Sequence, residues 1–143
     1  MGIRKAGIND VKGIQALLEQ LDYPGTEHFL EQNIERMLQH PDEALLVYED
    51  EDSGEIRGCI SLHFIPQLAL KGDFARISYF AVSGTARSQG IGGKMEAYCE
   101  QLARERGCDR MEVHCHSRRV RAHAFYGRQG YEESPKYLIK KLI

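Results

Sequence analysis

Residues 81–94 read AVSGTARSQGIGGK, and the stretch changes character twice in that short span. Its left end closes an apolar run, its middle is a polar turn, and its right end is a cluster of glycines opening an amphipathic segment. That sequence of characters predicts a strand, a loop and the N-terminus of a helix. The spacing R-x-x-G-x-G, filled by Arg87, Gly90 and Gly92, offers bare backbone N–H groups, the positive end of a helix dipole and one guanidinium. Together these suit a pyrophosphate.

To the right of this stretch, residues 90–106 carry Ile91, Met95, Tyr98, Leu102 and Ala103 on one stripe, with Lys94, Glu96, Glu100, Gln101 and Arg104 outside it. This predicts a helix, with Gly107 as the residue of positive φ that ends it. Met111, Val113 and Cys115 then alternate with Glu112, His114 and His116, the pattern of a half-buried strand. Residues 120–129 predict a short helix ended by Gly130, and the weak alternation of residues 131–143 predicts a last strand closing the sheet. To the left, residues 75–82 (ARISYFAV) read as a strand. Residues 56–65 form a longer strand in which Gly58 marks a bulge, and residues 44–48 (ALLVY) pair with it across the turn DEDSG. Nearer the start, residues 3–6 predict a short strand. Two helices follow, one capped by Asn9 or Asp10 and one, after Pro24 and Gly25, capped by Thr26.

The resulting order is strand, two helices, three strands, helix, strand, helix, strand. This predicts an α/β fold with a mixed sheet, hairpin-joined in its middle and crossed by helices later, in one domain over residues 1–143. Composition sets further bounds. The chain has 143 residues, 42% hydrophobic and 28% charged, with a formal net charge of -2, so no basic excess points to nucleic acid or an anionic membrane. No apolar run approaches the roughly 18 residues that cross a bilayer, and the opening MGIRKAGIND lacks the apolar core of a secretion signal. The expected location is cytoplasmic. Cys59, Cys99, Cys108 and Cys115 show no C-x-x-C pairing, so reduced thiols are expected. His114, Cys115 and His116 would alternate faces in a strand, which argues against a metal site there.

A glycine-rich turn before a helix has several readings. A nucleoside triphosphatase loop needs G-x-x-x-x-G-K followed by Ser or Thr, whereas Met95 follows Lys94 here. A dinucleotide fingerprint needs a third glycine, and the position after Gly90 and Gly92 that would supply it is Met95. A purely structural role for the glycines remains a further reading. With the downstream segment AHAFYGRQGYEE at residues 122–133, the chain resembles the Gcn5-related N-acetyltransferase (GNAT) family, whose acetyl-CoA motif is R/Q-x-x-G-x-G/A. Within it, AHAFYGRQGYEE and GCISLHF at residues 58–64 are similar to small-amine acetyltransferases of the aminoalkylphosphonate type. The resemblance implies an acyl-CoA N-acyltransferase fold with a mixed sheet of about six to seven strands and about four helices.

The resemblance also implies roles. Phe80, Ala81 and Val82 would offer backbone groups to the pantetheine arm and the acetyl carbonyl, at a bulge that splays their strand from the next. Arg87, Ser88, Gln89, Gly90, Ile91, Gly92, Gly93 and Lys94 would surround the pyrophosphate. Arg119 lies in a basic run that meets either CoA phosphates or solvent. Tyr126 would protonate the leaving thiolate, its other reading being an aromatic packed on the helix's inner face. Many relatives carry glutamates where this chain has Arg76 and Tyr79, so the base is sought elsewhere. His63 is the first candidate, as base or member of a water relay, because an imidazole exchanges protons near neutrality; Tyr79 and His114 are reserves. No cysteine is placed as an acyl acceptor, so direct attack in a ternary complex is expected. The expected reaction is transfer from acetyl-CoA to a primary amine of a small molecule, without metal, nucleic acid or membrane. A protein lysine or N-terminus as acceptor is one alternative, and a non-catalytic acyl-CoA sensor is another. Glu27, Glu31 and Glu35 would favour a cationic acceptor or form the wet side of a helix. A homodimer is the common state in the resembled family.

Overall fold

The structure is a computed structural model that describes residues 2–86, 89–116, 118–134 and 137–143. Five strands, β1 (Ile3–Lys5), β2 (Glu43–Glu49), β3 (Ile56–Ile65), β4 (Phe74–Val82) and β5 (Arg110–Val113), form one sheet in the order β1-β2-β3-β4-β5. The first four are antiparallel and β4–β5 is parallel. The helices are α1 (Val11–Gln20), α2 (Leu30–Gln39), α3 (Ile91–Glu105) and α4 (Val120–Arg128). The mixed α/β architecture is the expected one.

Alternation along β2, β3 and β4 divides the core by face. Leu46, Ile60, Leu62, Ala75 and Ile77 pack with Ile91, Met95, Cys99 and Ala103 of α3. Leu45, Val47, Cys59 and Ala81 pack on the other face with Ile14, Leu17 and Leu18 of α1 and Leu30 and Ile34 of α2. Burial of each such aliphatic side chain contributes about 1.5–3 kcal/mol. Gly58 lets α3 lie this close: a Cβ there would meet the Met95 sulfur at 2.7 Å.

Several expectations are corrected. The sheet has five strands among the described residues, not six or seven. Residues 131–143 carry no strand in their described part, and Leu138, Ile139, Leu142 and Ile143 stand 80–112% exposed. YLIKKLI groups its apolar residues in blocks instead of alternating them, so it has no single face to lay on a sheet. β5 stops at Val113, so His114, Cys115 and His116 lie beyond it. Asp10 occupies the N-cap position of α1, as expected, but its side chain makes no capping bond there; its carboxylate accepts the Gly7 N–H at 2.7 Å and binds both terminal nitrogens of Arg4. Thr26 is buried with its hydroxyl unpaired among the described residues, and Phe29 occupies the N-cap of α2.

Candidate active site

β4 outruns β5. Their pairing covers Phe74 to Ile77 against Arg110 to Val113, so residues 78–82 lie against β3 on one side and have no β5 partner on the other, where Ser78, Tyr79 and Phe80 line a cleft. An extra residue in β4 sharpens this. Ser61 pairs with Tyr79 and Leu62 with Ile77, leaving Ser78 between them as a bulge. A bulge turns two successive side chains toward one face, here Ser78 and Tyr79 toward the cleft. β4 therefore has an edge unpaired by β5 beyond Ile77, and its bulge is at Ser78 and not at Phe80, Ala81 and Val82.

α3 begins beside the end of β4. Gly90 takes φ +76 as its N-cap, a conformation that costs little only for glycine. Ile91 is buried beneath the turn, and the Lys94 N–H closes it onto the Gly90 carbonyl at 3.1 Å. The Gln89 N–H donates to the Ala86 carbonyl at 3.3 Å. A Cβ on Gly93 would meet nothing within 4 Å, whereas one on Gly92 would come within 3.3 Å of the Phe125 ring. The opening turn thus presents bare backbone with its first N–H groups unpaired within the helix, a setting for anionic oxygens. Arg87 and Ser88 lie outside the described residues.

Phe125 of α4 rests edge-on against Phe80, with centroids 5.8 Å apart, which brings α4 over the open end of β4. Tyr126 then lines a cleft of about 50 Å³ with Ile77, Phe80 and Val113. Rings of Phe125 and Tyr131 stand edge-on to it at 5.3 and 5.4 Å. Burial, followed by the nearby Cys115, pushes the Tyr126 phenol up to about 12. It stays protonated at neutral pH and can act as a proton donor.

The opposite side is polar. Ser78 and Tyr79 line the cleft, as do His114 and Arg119. The Tyr79 ring is 44% exposed and meets Tyr23 edge-on at 5.2 Å. His63 does not line the cleft; its Nε2 lies 2.5 Å from Ser78 Oγ and its Nδ1 2.8 Å from Glu43 Oε1. Arg76, opposite His63 in register, is held by Glu112 of β5 at 2.7 Å. Glu27, Glu31 and Glu35 are exposed and line no part of the cleft. Among the described residues, no cluster of three His, Cys, Asp or Glu side chains is placed to hold a metal ion. Cys59 and Cys99 are buried, and burial pushes both thiols up to about 12.

The structure therefore brings Tyr126, Tyr79, Phe80 and Arg119 onto one cleft, beside the opening turn of α3. It adds residues the sequence did not single out. Ser78 and Glu43 belong to the His63 contact, and Ser61 Oγ stands 2.6 Å from Ser78 Oγ. Glu96, expected on the outer side of α3, is 2% exposed and accepts the Tyr131 O–H at 2.8 Å. No local pattern marks a serine or glutamate as part of such a contact, because the partners are set by strand register.

Comparison with known proteins agrees with the fold. Aminoalkylphosphonate N-acetyltransferase of Salmonella typhimurium is 34% identical over 90 residues, 63% of this chain. The matched part spans 58% of that relative's length. The crystal structure of glucosamine-6-phosphate N-acetyltransferase from Arabidopsis thaliana shares the fold, with a TM-score of 0.84 at 24% identity over 99% of this chain and 97% of that one. An aminoglycoside N-acetyltransferase in complex with CoA also shares it, with a TM-score of 0.84 at 15% identity over 97% of this chain and 92% of that one. The pattern of the Acetyltransferase (GNAT) family runs over residues 13–131, from α1 through the cleft to Tyr131, and the chain belongs to that family.

Proposed function

We propose that the protein transfers the acetyl group of acetyl-CoA to the primary amine of a small molecule that also carries an acidic group. The observation that carries this reading is the convergence at the end of β4. An open strand edge and a protonated tyrosine meet at one cleft, and the glycine-built start of α3 adjoins it through Phe125, whose ring borders Gly92, Phe80 and Tyr126. In this reading the edge at Phe80, Ala81 and Val82 aligns the pantetheine arm. Gln89, Gly90, Ile91, Gly92, Gly93 and Lys94, with Arg87 and Ser88, hold the pyrophosphate. The amine attacks the thioester carbonyl, negative charge develops on its oxygen, and Tyr126 gives a proton to the departing sulfur.

Two features support an acidic group on the acceptor. Arg119 and His114 line the cleft and, among the described residues, no carboxylate does, which favours an anionic molecule over a polycationic one. The Salmonella relative is named for an aminoalkylphosphonate, an amine of this kind. Arg119 then serves the acceptor, where the sequence left CoA phosphates or solvent as its partner.

Titration calorimetry with acetyl-CoA, followed by a free-thiol assay over a panel of amines, tests the reading. Turnover is expected with 2-aminoethylphosphonate, and Arg119→Gln should raise its KM by about tenfold, or ~1.4 kcal/mol, with little change in kcat. Acetyl-CoA binding without thiol release from any amine would replace the enzyme with a sensor. Preference for lysine peptides would move the acceptor to protein.

A further inference from the structure

From the polar side of the cleft a row of hydrogen bonds leads away from it, and the two ends of the row fix the sense of every bond between them. The Tyr79 backbone N–H can only donate, and it meets Ser61 Oγ at 3.1 Å. The Glu43 carboxylate, when ionised, can only accept, and it meets His63 Nδ1 at 2.8 Å. A neutral imidazole that donates through Nδ1 must accept through Nε2. Ser78 therefore donates its hydroxyl proton to Nε2, across 2.5 Å. With that proton committed, the contact of 2.6 Å between Ser61 and Ser78 requires Ser61 to donate. Ser78 Oγ is left with one lone pair, on a residue that is itself exposed in the cleft.

We propose that Ser78, His63 and Glu43 are a proton relay that converts the acceptor from ammonium to free amine at the point of attack. This rests on the acetyl-transfer reading and adds the proton acceptor that reading lacks. An ammonium in the cleft gives a proton to Ser78 Oγ, while the original Ser78 proton passes to His63 Nε2. One N–H bond of the ammonium breaks and one N–H bond of the imidazole forms. The charge moves from the acceptor to His63, against the Glu43 carboxylate. The freed lone pair attacks the acetyl carbon, the C–N bond forms and the C–S bond breaks. The second proton lost by the nitrogen restores the Tyr126 phenol, which has given its own proton to the departing sulfur. His63, whose side chain is 25% exposed, returns its proton to water. Ser78 is the catalytic member, and Glu43 is a positioning residue that acts through His63.

The bulge in β4 makes the relay, because it places Ser78 beside Tyr79 on the cleft face instead of letting the pair alternate. The charged and titratable groups on the strands flanking His63 are Glu43, Tyr48 and Glu49 on β2 and Arg76 and Tyr79 on β4; Glu43 and Arg76 lie opposite His63 in register, and Arg76 is engaged by Glu112 of β5. Among the described residues, no charged side chain of α1 or α2 hydrogen-bonds His63.

A pair of near-isosteric acceptors tests the relay. 2-Aminoethylphosphonate arrives as an ammonium at about pH 7, whereas aminooxymethylphosphonate arrives with a neutral nitrogen. Ser78→Ala should lower kcat/KM for the first by roughly 100-fold and for the second by much less. The deficit with the first should shrink as pH rises toward the amine's own pKa. Glu43→Gln, which keeps an acceptor for Nδ1–H but removes the charge, should show the same selectivity with a smaller loss. Equal losses for the two acceptors would overturn the relay. A readout without turnover separates its failure from failure of the transferase reading. Nitrogen-15 NMR of the unliganded protein at about pH 8 should find His63 protonated at Nδ1, with the Nε2 resonance displaced by Ser78→Ala. The opposite tautomer, or an Nε2 indifferent to Ser78, would sink the proposal even if the enzyme acetylates amines well. Absence of thiol release with the predicted tautomer intact would sink the acetyl-transfer reading, and with it the relay's role.

Discussion

On one wall of the cleft, Tyr126 lies among the rings of Phe125 and Tyr131; on the other, Ser78 belongs to a hydrogen-bonded row that runs through His63 to Glu43. The first wall keeps its proton because burial disfavours the phenolate. The second directs protons by fixing which atom donates at each step. A site that must both give and take a proton within one cleft gains from this difference in surroundings, since a shared environment would push both groups the same way.

The sharpest way to break the comparison is Tyr126→Phe, which leaves the rings and removes the proton. In the acid role this lowers kcat by about 100-fold or more while acetyl-CoA affinity, read by calorimetry, stays near that of the parent. A variant with parental turnover makes the dry wall a packing feature only. The same wall sets a pH expectation. Because burial raises the Tyr126 phenol from its ordinary value of 10.0 to about 12, no alkaline loss of activity from this group is expected below about pH 10. An alkaline limb near neutrality that vanished in Tyr126→Phe would contradict it.

Gly92→Leu tests whether the aromatic wall and the glycine turn are one unit. Leucine favours a helix over glycine by about 0.8–1 kcal/mol, but its Cβ alone would press to 3.3 Å from Phe125. The expected result is a folded protein whose acetyl-CoA affinity falls by about tenfold, or ~1.4 kcal/mol. Unchanged affinity would separate the turn from cofactor binding.

The smallest effect is expected behind the dry wall, at Glu96. Burial lifts its carboxyl above the ordinary range, and the hydrogen bond from Tyr131 works against that rise. The unfolded chain then loses this proton at lower pH than the folded one, so stability falls as pH climbs from the ordinary carboxylate range through the folded value. Glu96→Gln keeps an acceptor for Tyr131 without the charge. Its Tm should exceed that of the parent by about 2 °C at neutral pH, and the gain should disappear below about pH 4. A loss of Tm at neutral pH would show that the charged form holds Tyr131 in place.

What could be read from the sequence follows from how local each signal is. β3 begins and ends at Ile56 and Ile65 as expected, and Gly107 has φ +72 after α3, because alternation and end residues act within a few positions. The glycine-built start of α3 was legible for the same reason: the glycines and the helix they open are adjacent in sequence. Ser78 and Glu43 were not. Each meets His63 through the register of neighbouring strands, 15 and 20 residues away, and one serine in an apolar strand carries no mark of the bulge. Glu96 was misread because a helical stripe says which side faces the core, not that Tyr131 waits there 35 residues later.

The open edge of β4 has a consequence for handling the protein. Strand past the end of its neighbour presents N–H and C=O groups that any extended chain can pair with, and such edges template self-association. In the proposed function the pantetheine arm occupies that edge. Acetyl-CoA would then act as a guard against aggregation as well as a substrate, and the protein should concentrate further with the cofactor than without it.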